Sequence, residues 1–190
     1  MKIESEFFTS QGDQAIWELL ANHLKHRKAM QRMVLTSLDA EQKPQARTLV
    51  LRELDSETKC LYFFTDSRST KVAQWQNNPY SQALAYCHED LLQLRLTGVI
   101  EVLANGVAFM DALSQLKAHQ YKDYSSAHAP GSLWRADSAG PADSLNFNVI
   151  KLQINQIEVL EIKPHAQEHL RWSHSYNSMG ELIDTKRLVP

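Results

Sequence analysis

Hydrophobic and polar positions follow one period up to about residue 33 and another from residue 34 onward, and the change divides the chain into two kinds of segment. Before it, Ile16, Leu19, Leu20 and Leu24 recur at the three- and four-residue spacing of one helix face. Asp13 stands where an N-terminal cap would. Lys25, His26, Arg27 and Lys28 fall in the half where cations suit the helix dipole. The spacing therefore predicts one amphipathic helix over residues 12–33. His23 lies on its apolar stripe without a partner motif, which predicts a packed structural histidine.

From residue 34 the pattern becomes short β-like runs separated by polar turns. Runs at 34–38, 45–52 and 60–65 lead into a short helix at 70–77. Asn78-Pro79 closes that helix, because proline disfavours helical backbone in the residue before it. Runs at 81–88 and 91–103 follow, joined by Glu89-Asp90. Residues 105–124 are helical in pattern, and 125–144, rich in Ser, Ala, Gly and Pro, read as a long loop. Strand-like runs at 147–154, 157–162 and 170–175 precede the turn Asn177-Ser178-Met179-Gly180 and a last segment at 181–188. No βαβ alternation is present. The expectation is a mainly β (α+β) protein, an antiparallel barrel with peripheral helices, forming one domain over 1–190 with a helical segment at 1–33.

Composition narrows the function classes. Hydrophobic residues at 43% and charged residues at 22% are those of an ordinary globular chain, and 190 residues suit one core. A formal net charge of −2 argues against a general nucleic-acid binder. Cys60 and Cys87 match no metal or redox spacing and fall in predicted strands, so both read as reduced core residues. The N-terminus lacks a signal-peptide pattern, and no apolar run is long enough for a membrane span. A cytoplasmic protein with no membrane partner is expected.

Three segments carry candidate chemistry. In Arg47-Thr48-Leu49-Val50-Leu51-Arg52, strand alternation puts Arg47, Leu49 and Leu51 on one face and Thr48, Val50 and Arg52 on the other. Solvated arginines at strand ends would read the same. In Phe63-Phe64-Thr65-Asp66-Ser67-Arg68-Ser69-Thr70-Lys71, an aromatic strand enters a hydroxyl-rich turn with two cations just before a helix. Free N–H groups and hydroxyls there suit a phosphate, and equally a simple Ser/Thr cap. In Gln93-Leu94-Arg95-Leu96-Thr97-Gly98, polar and apolar residues alternate as in any barrel wall.

In this order and spacing, the segments resemble the pyridoxamine 5′-phosphate oxidase superfamily of FMN-binding split barrels. The matching features are Arg47 to Arg52, Phe64-Thr65, Ser69 with Lys71 ahead of Asn78-Pro79, Gln93 with Arg95 and Gly98, Ile157-Glu158, and the closing Arg187-Leu188-Val189-Pro190. The turn Asp66-Ser67-Arg68-Ser69-Thr70-Lys71 resembles the short branch of the family with an Asp-x-Arg-Ser-x-Lys turn.

The resemblance implies a Greek-key split barrel binding FMN at the interface of a homodimer. It implies that Arg47 and Lys71 hold the phosphate, with Ser69 and Arg68 assisting. Thr48, Leu49, Val50 and Leu51 would run along the flavin ring with Phe64 and Thr65 beside it. Gln93 would reach the flavin from the other subunit, and Arg171 from the C-terminal region. Arg52, Tyr121 and His169 are the corresponding substrate candidates.

The substrate half of the family pattern is incomplete: Ser125 stands in place of an arginine, Gln167 in place of another, and Leu160 in place of a flavin-stacking tryptophan. An FMN-dependent oxidoreductase acting on an unidentified small molecule is therefore the leading expectation. A true pyridoxamine or pyridoxine phosphate oxidase with altered contacts, and a non-catalytic flavin-binding or sensing protein, are the alternatives. His165, His169 and His174 form no familiar zinc spacing, so no metal is expected. Trp134 is expected to anchor its loop, and Trp17, Trp75 and Trp172 to serve core or interface.

Overall fold

The computed structural model describes residues 12–134, 144–162 and 169–190. Its secondary structure begins with a helix, α1 (Gly12–Lys25), and a short 3-10 turn (Ala29–Gln31). Three strands follow, β1 (Arg32–Leu38), β2 (Pro44–Asp55) and β3 (Cys60–Thr65), then helix α2 (Thr70–Asn77). Strands β4 (Tyr80–Cys87) and β5 (Leu92–Leu103) precede helices α3 (Val107–Ser114) and α4 (Ala118–Asp123). Strands β6 (Asn148–Glu161), β7 (Leu170–Tyr176) and β8 (Leu182–Leu188) complete the chain.

All the strand pairs are antiparallel, in the order β3-β2-β1-β4-β5-β6-β7-β8, and β3 also pairs with β6. That last pairing closes six strands into a barrel and leaves β7 and β8 as an extension. The order β3-β2-β1-β4 is a Greek key, as the family resemblance implies. Alternation fills the barrel: Leu92, Leu94 and Leu96 of β5 are buried, while Gln93, Arg95 and Thr97 stay partly exposed on the outer face. Leu35, Leu51, Phe63, Ile150 and Leu152 meet them inside. A second cluster, built on Ala112, Tyr124, Phe147 and Val149 with Phe64 and Phe109, packs α3 against the outside of the wall.

Three boundaries differ from the sequence expectation. The first helix ends at Lys25, not near Met33. Lys28 N–H reaches His23 O at 2.9 Å and Arg27 N–H reaches Leu24 O, while Arg27 takes φ 54°. These bonds form a Schellman stop. An arginine rather than glycine occupies its left-handed position, so nothing in the sequence marked it. The helix expected over 105–124 is two helices, because Ser114 Oγ donates back to Asp111 O at 2.7 Å and the chain turns at Gln115. The two expected runs 147–154 and 157–162 are one strand, β6, whose register slips opposite Thr97 and Gly98.

Asp13 also departs from expectation. Its carboxylate accepts from Lys59 Nζ at 3.1 Å and from the Tyr176 hydroxyl, tying α1 to the barrel. Lys59 lies over the rings of Trp17 and Tyr176. Trp17 and Trp75 are buried in the core as expected, whereas Trp134 is 82% exposed among the described residues.

His23 is buried, its Nδ1 accepting the Met30 N–H at 3.3 Å, as expected for a packed histidine. His174 is buried too, with Nδ1 3.1 Å from Thr185 Oγ1. Burial lowers both imidazole pKa values below the ordinary 6.5. A depressed folded-state pKa favours the neutral ring, so this stability is fully present above pH 6.5. It is lost as pH falls from 6.5 toward the folded value. Thermal melts are therefore expected to show a Tm decreasing between about pH 7 and about pH 5, and less steeply in His174→Gln. An equal decrease in that variant would show that His174 contributes nothing to the acid sensitivity.

Candidate functional site

The strand β2 carries Arg47 on the barrel-facing side, two and four residues before the core residues Leu49 and Leu51. There the guanidinium lies over the Trp75 ring, 5.5 Å from its centroid. It donates to Gln74 Oε1 at 3.0 Å and Leu35 O at 3.3 Å. Gln74 and Trp75 both belong to α2, so the helix and β2 meet at this arginine.

Lys71, in the first turn of α2, brings a second cation to the same place. Its Nζ donates to Thr65 Oγ1 at 3.1 Å. Burial lowers the Lys71 pKa first, the nearby Arg47 charge lowers it further, and Asp66 opposes both. Burial likewise lowers Arg47. Two partly buried cations thus repel each other with no carboxylate bridging them among the described residues. Ser69 immediately precedes α2; its hydroxyl makes no cap bond and is a buried oxygen without a hydrogen-bond partner. The first-turn N–H groups of a helix have no intrahelical acceptor either. Two cations, an unpartnered hydroxyl and a helix start are the donor set of an anion site.

Arg68, expected beside the phosphate, is directed elsewhere. Its guanidinium clasps Asp66 at 2.7 and 3.1 Å and donates to three successive carbonyls, of Ser126, Ala127 and His128, at 3.0–3.3 Å. The planar fork of arginine suits this multiple grip; a lysine could not reproduce it. Arg68 therefore pins the start of the long loop to the turn that carries Ser69 and Lys71. Arg68→Ala is expected to raise deuterium uptake in 125–132 selectively, and Arg68→Lys should not restore protection. Unchanged uptake in the alanine variant would refute the anchor.

The outer face of β2 presents Thr48, Val50 and Arg52. The Arg52 guanidinium sits 5.8 Å from the Phe64 ring centroid, beside the buried Tyr124, whose hydroxyl pKa burial raises. Gln93 lies on the outer face of β5, three strands from β2 in the barrel order. Arg171 is ion-paired to Glu158 at 2.5 Å, and Arg95 approaches the same carboxylate at 3.5 Å. Tyr121 on α4 is 47% exposed and His169, before β7, is exposed. The fold thus brings Arg47, Thr65, Ser69 and Lys71 together, and Arg52 with Phe64. Gln93 and Arg171 stand on other strands, β5 and β7. Gln167 lies outside the described residues.

Sequence reading missed one convergence. His23, Cys87 and Asp90 place donor atoms within 4.8 Å of one another, joining α1 to the β4–β5 turn, which no local spacing signals. Hydrogen bonding accounts for this group. The Cys87 sulfur lies 3.0 Å from Asp90 Oδ2 and 3.3 Å from Glu89 Oε2, its pKa pushed up to about 11 mainly by burial, and His23 Nδ1 already serves Met30.

A six-stranded Greek-key barrel with an anion cradle at the mouth, where β2 meets α2, defines a class of split-barrel cofactor proteins. Residues 13–104, just under half of the chain, match the family model "Pyridoxamine 5'-phosphate oxidase, FMN-binding domain". Over 82 residues the chain is 29% identical to pyridoxine/pyridoxamine 5'-phosphate oxidase 2 of Arabidopsis thaliana, a match spanning 43% of this chain and 40% of that protein.

Among solved structures, a pyridoxamine 5'-phosphate oxidase-related, FMN binding protein from Nostoc punctiforme superposes with a TM-score of 0.79. It shares 20% identity, over 96% of this chain and 99% of that one. PhzG from Burkholderia lata 383, solved with tetrahydrophenazine-1-carboxylic acid, gives 0.76 at 15% identity over 99% and 98%. The fold is that of FMN-binding split-barrel proteins, and residues 13–104 are similar to the FMN-binding domain of pyridoxamine 5′-phosphate oxidase, a match that points to FMN as the cofactor. Among the described residues, no helix is long and apolar enough to cross a membrane.

Proposed function

We propose that this protein is an FMN-dependent oxidoreductase that acts on a small molecule as a homodimer. The observation that carries the reading is the cradle of Arg47, Lys71 and the unpartnered, buried Ser69 hydroxyl, which fits a phosphate dianion. From that anchor, β2 runs about 16 Å to Arg52 at about 3.3 Å per residue, so its backbone at 48–51 would be in reach of the flavin ring, with Phe64 and Thr65 on the next strand. When bound, the flavin supplies reversible hydride or electron transfer. The chain's own residues hold the phosphate, orient the ring and leave the Arg52 end open.

Gln93 supports the dimer. Three interstrand steps of about 4.8 Å place it about 14 Å round the wall from β2, too far to serve the same flavin. A second copy packed on the outer face would bring it there. That face carries Tyr80, Leu84 and Tyr86 of β4 and Val99 of β5, which are exposed large hydrophobic residues. Arg171 then acts from the Glu158 network, and Arg68 acts through the loop.

The oxidase reading for vitamin B6 phosphates has less support, since Ser125 and Gln167 cannot supply the guanidinium donors that a second phosphate would need. Purified protein should be yellow, with absorbance near about 450 nm and FMN released on denaturation. It should sediment as a dimer. Steady reduction by a nicotinamide and reoxidation would distinguish an enzyme from a flavin carrier. A colourless monomer that takes up no added FMN would overturn the proposal.

A further inference from the structure

We propose that Gln74 is a positioning residue of the cradle: its side-chain oxygen aims the Arg47 guanidinium and, being neutral, leaves that charge free for an anion. The inference rests on the flavin-phosphate reading above. It adds what makes the cradle prefer a phosphorylated ligand to an unphosphorylated one.

The geometry starts at a single atom. Arginine has donors and no acceptor, so the Gln74 atom 3.0 Å from Arg47 Nη2 is the amide oxygen. The same oxygen accepts from the buried Ser37 hydroxyl at 2.6 Å. Ser37 lies on β1, Arg47 on β2 and Gln74 on α2, so this oxygen joins three elements. Trp75, the next residue, covers the face of the guanidinium, and its own ring is fixed by Nε1 donating to Thr36 O at 3.0 Å. Leu35, the register partner of Arg47 on β1, accepts a second guanidinium bond at its carbonyl, at 3.3 Å.

The ring, the peptide carbonyl and the amide that hold Arg47 are all neutral. Among the described residues neither Arg47 nor Lys71 is in an ion pair, and Asp66 is clasped by Arg68. A half-buried arginine that served only the fold would be better matched by a carboxylate, and glutamate has the same length as glutamine. Glutamine keeps the geometry and withholds the charge. Its bond and that to Leu35 use two of the five N–H donors of the fork. What remains is an oriented, uncompensated cation beside Lys71 and the unpartnered Ser69 hydroxyl. A preset cation receives a phosphate dianion without the cost of ordering a long side chain on binding. A ligand without the phosphate gains nothing from it.

The test compares FMN with riboflavin, which lacks the phosphate, by quenching of flavin fluorescence at neutral pH. The parent should prefer FMN by at least about tenfold, as charge-assisted bonds require. Gln74→Glu keeps the shape and adds a charge. It should lose at least about tenfold in FMN affinity, leave riboflavin affinity unchanged, and melt higher than the parent without cofactor, because the new carboxylate pairs with Arg47. Gln74→Met keeps the length and removes the acceptor. It should weaken FMN alone, with no rise in melting temperature. Full FMN affinity in either variant, equal losses for the two flavins, or no preference for FMN in the parent would each overturn the proposal. If the parent takes up neither flavin, the flavin reading fails separately. A thermal-shift titration with inorganic phosphate then decides for Gln74, since phosphate should raise the melting temperature of the parent and not that of Gln74→Glu. An equal response in the two, or none in the parent, would overturn the inference as well.

Discussion

Replacing Lys71 with methionine is expected to cut FMN affinity by about 10- to 150-fold, the range for losing one charge-assisted hydrogen bond of about 1.5–3 kcal/mol. Arg47→Met should cost as much, and quenching of flavin fluorescence on binding measures both. The two losses should not add in full, because the Arg47 charge lowers the Lys71 pKa and removing Arg47 relieves Lys71.

The same substitution should leave the cofactor-free protein as stable as the parent, or more so. The Lys71 pKa is lowered by burial and then by Arg47, which means that the charged ammonium is disfavoured in the fold. For a depressed lysine, that penalty is fully present at neutral pH. It disappears as pH rises through the folded value toward the ordinary 10.5. Methionine removes it at every pH. Opposite movements of FMN affinity and apo Tm would mark the cradle as a site held at the expense of stability. A variant that lost both together would instead identify Lys71 as a structural lysine.

Gly98→Ala is expected to damage the barrel itself. A Cβ built on Gly98 would stand 2.0 Å from the Gln153 carbonyl oxygen and 2.8 Å from its carbon, both backbone atoms of β6. Real Cβ contacts do not approach so closely, so β5 and β6 would have to part at the register slip. A loss of about 3 kcal/mol or more is expected, lowering Tm by about 6–12 °C in a chain of this size. Gly106→Ala is the control. Gly106 has φ +87° with nothing within 4 Å of its added Cβ, so only the backbone penalty of about 1–2 kcal/mol applies. Equal effects at the two glycines would mean that the close approach at Gly98 relaxes freely.

Gly98 also shows how sequence and structure divide the information. In the sequence it is the last residue of a Gln-x-Arg-x-x-Gly pattern; in the barrel it is the point where β6 changes register and its backbone passes closest. Strand alternation made β1, β3 and β5 legible almost to the residue, because burial on one face imposes a period of two. Helix α2 was legible at both ends, since Asn78-Pro79 stops it and Ser69 starts it. The end of α1 was not, because Arg27 carries a left-handed stop that composition assigns to glycine. The roles of Arg68 and Asp13 were not legible either. Their partners lie at Ser126–His128 and at Lys59 and Tyr176, far along the chain, and local pattern holds no record of such distances.

The sequence by itself determined the class of fold and the positions of most strands, because periodicity and turn chemistry are local and act within a few residues; the grouping of Arg47, Ser69 and Lys71 came only as an implication of the family resemblance. Only the tertiary structure decided that Arg47 and Lys71 crowd each other beside an unpartnered Ser69 hydroxyl, and that Arg68 grips a loop. Barrel closure through β3 and β6 sets those distances, and closure depends on pairings between strands nearly a hundred residues apart, whose geometry no single segment contains.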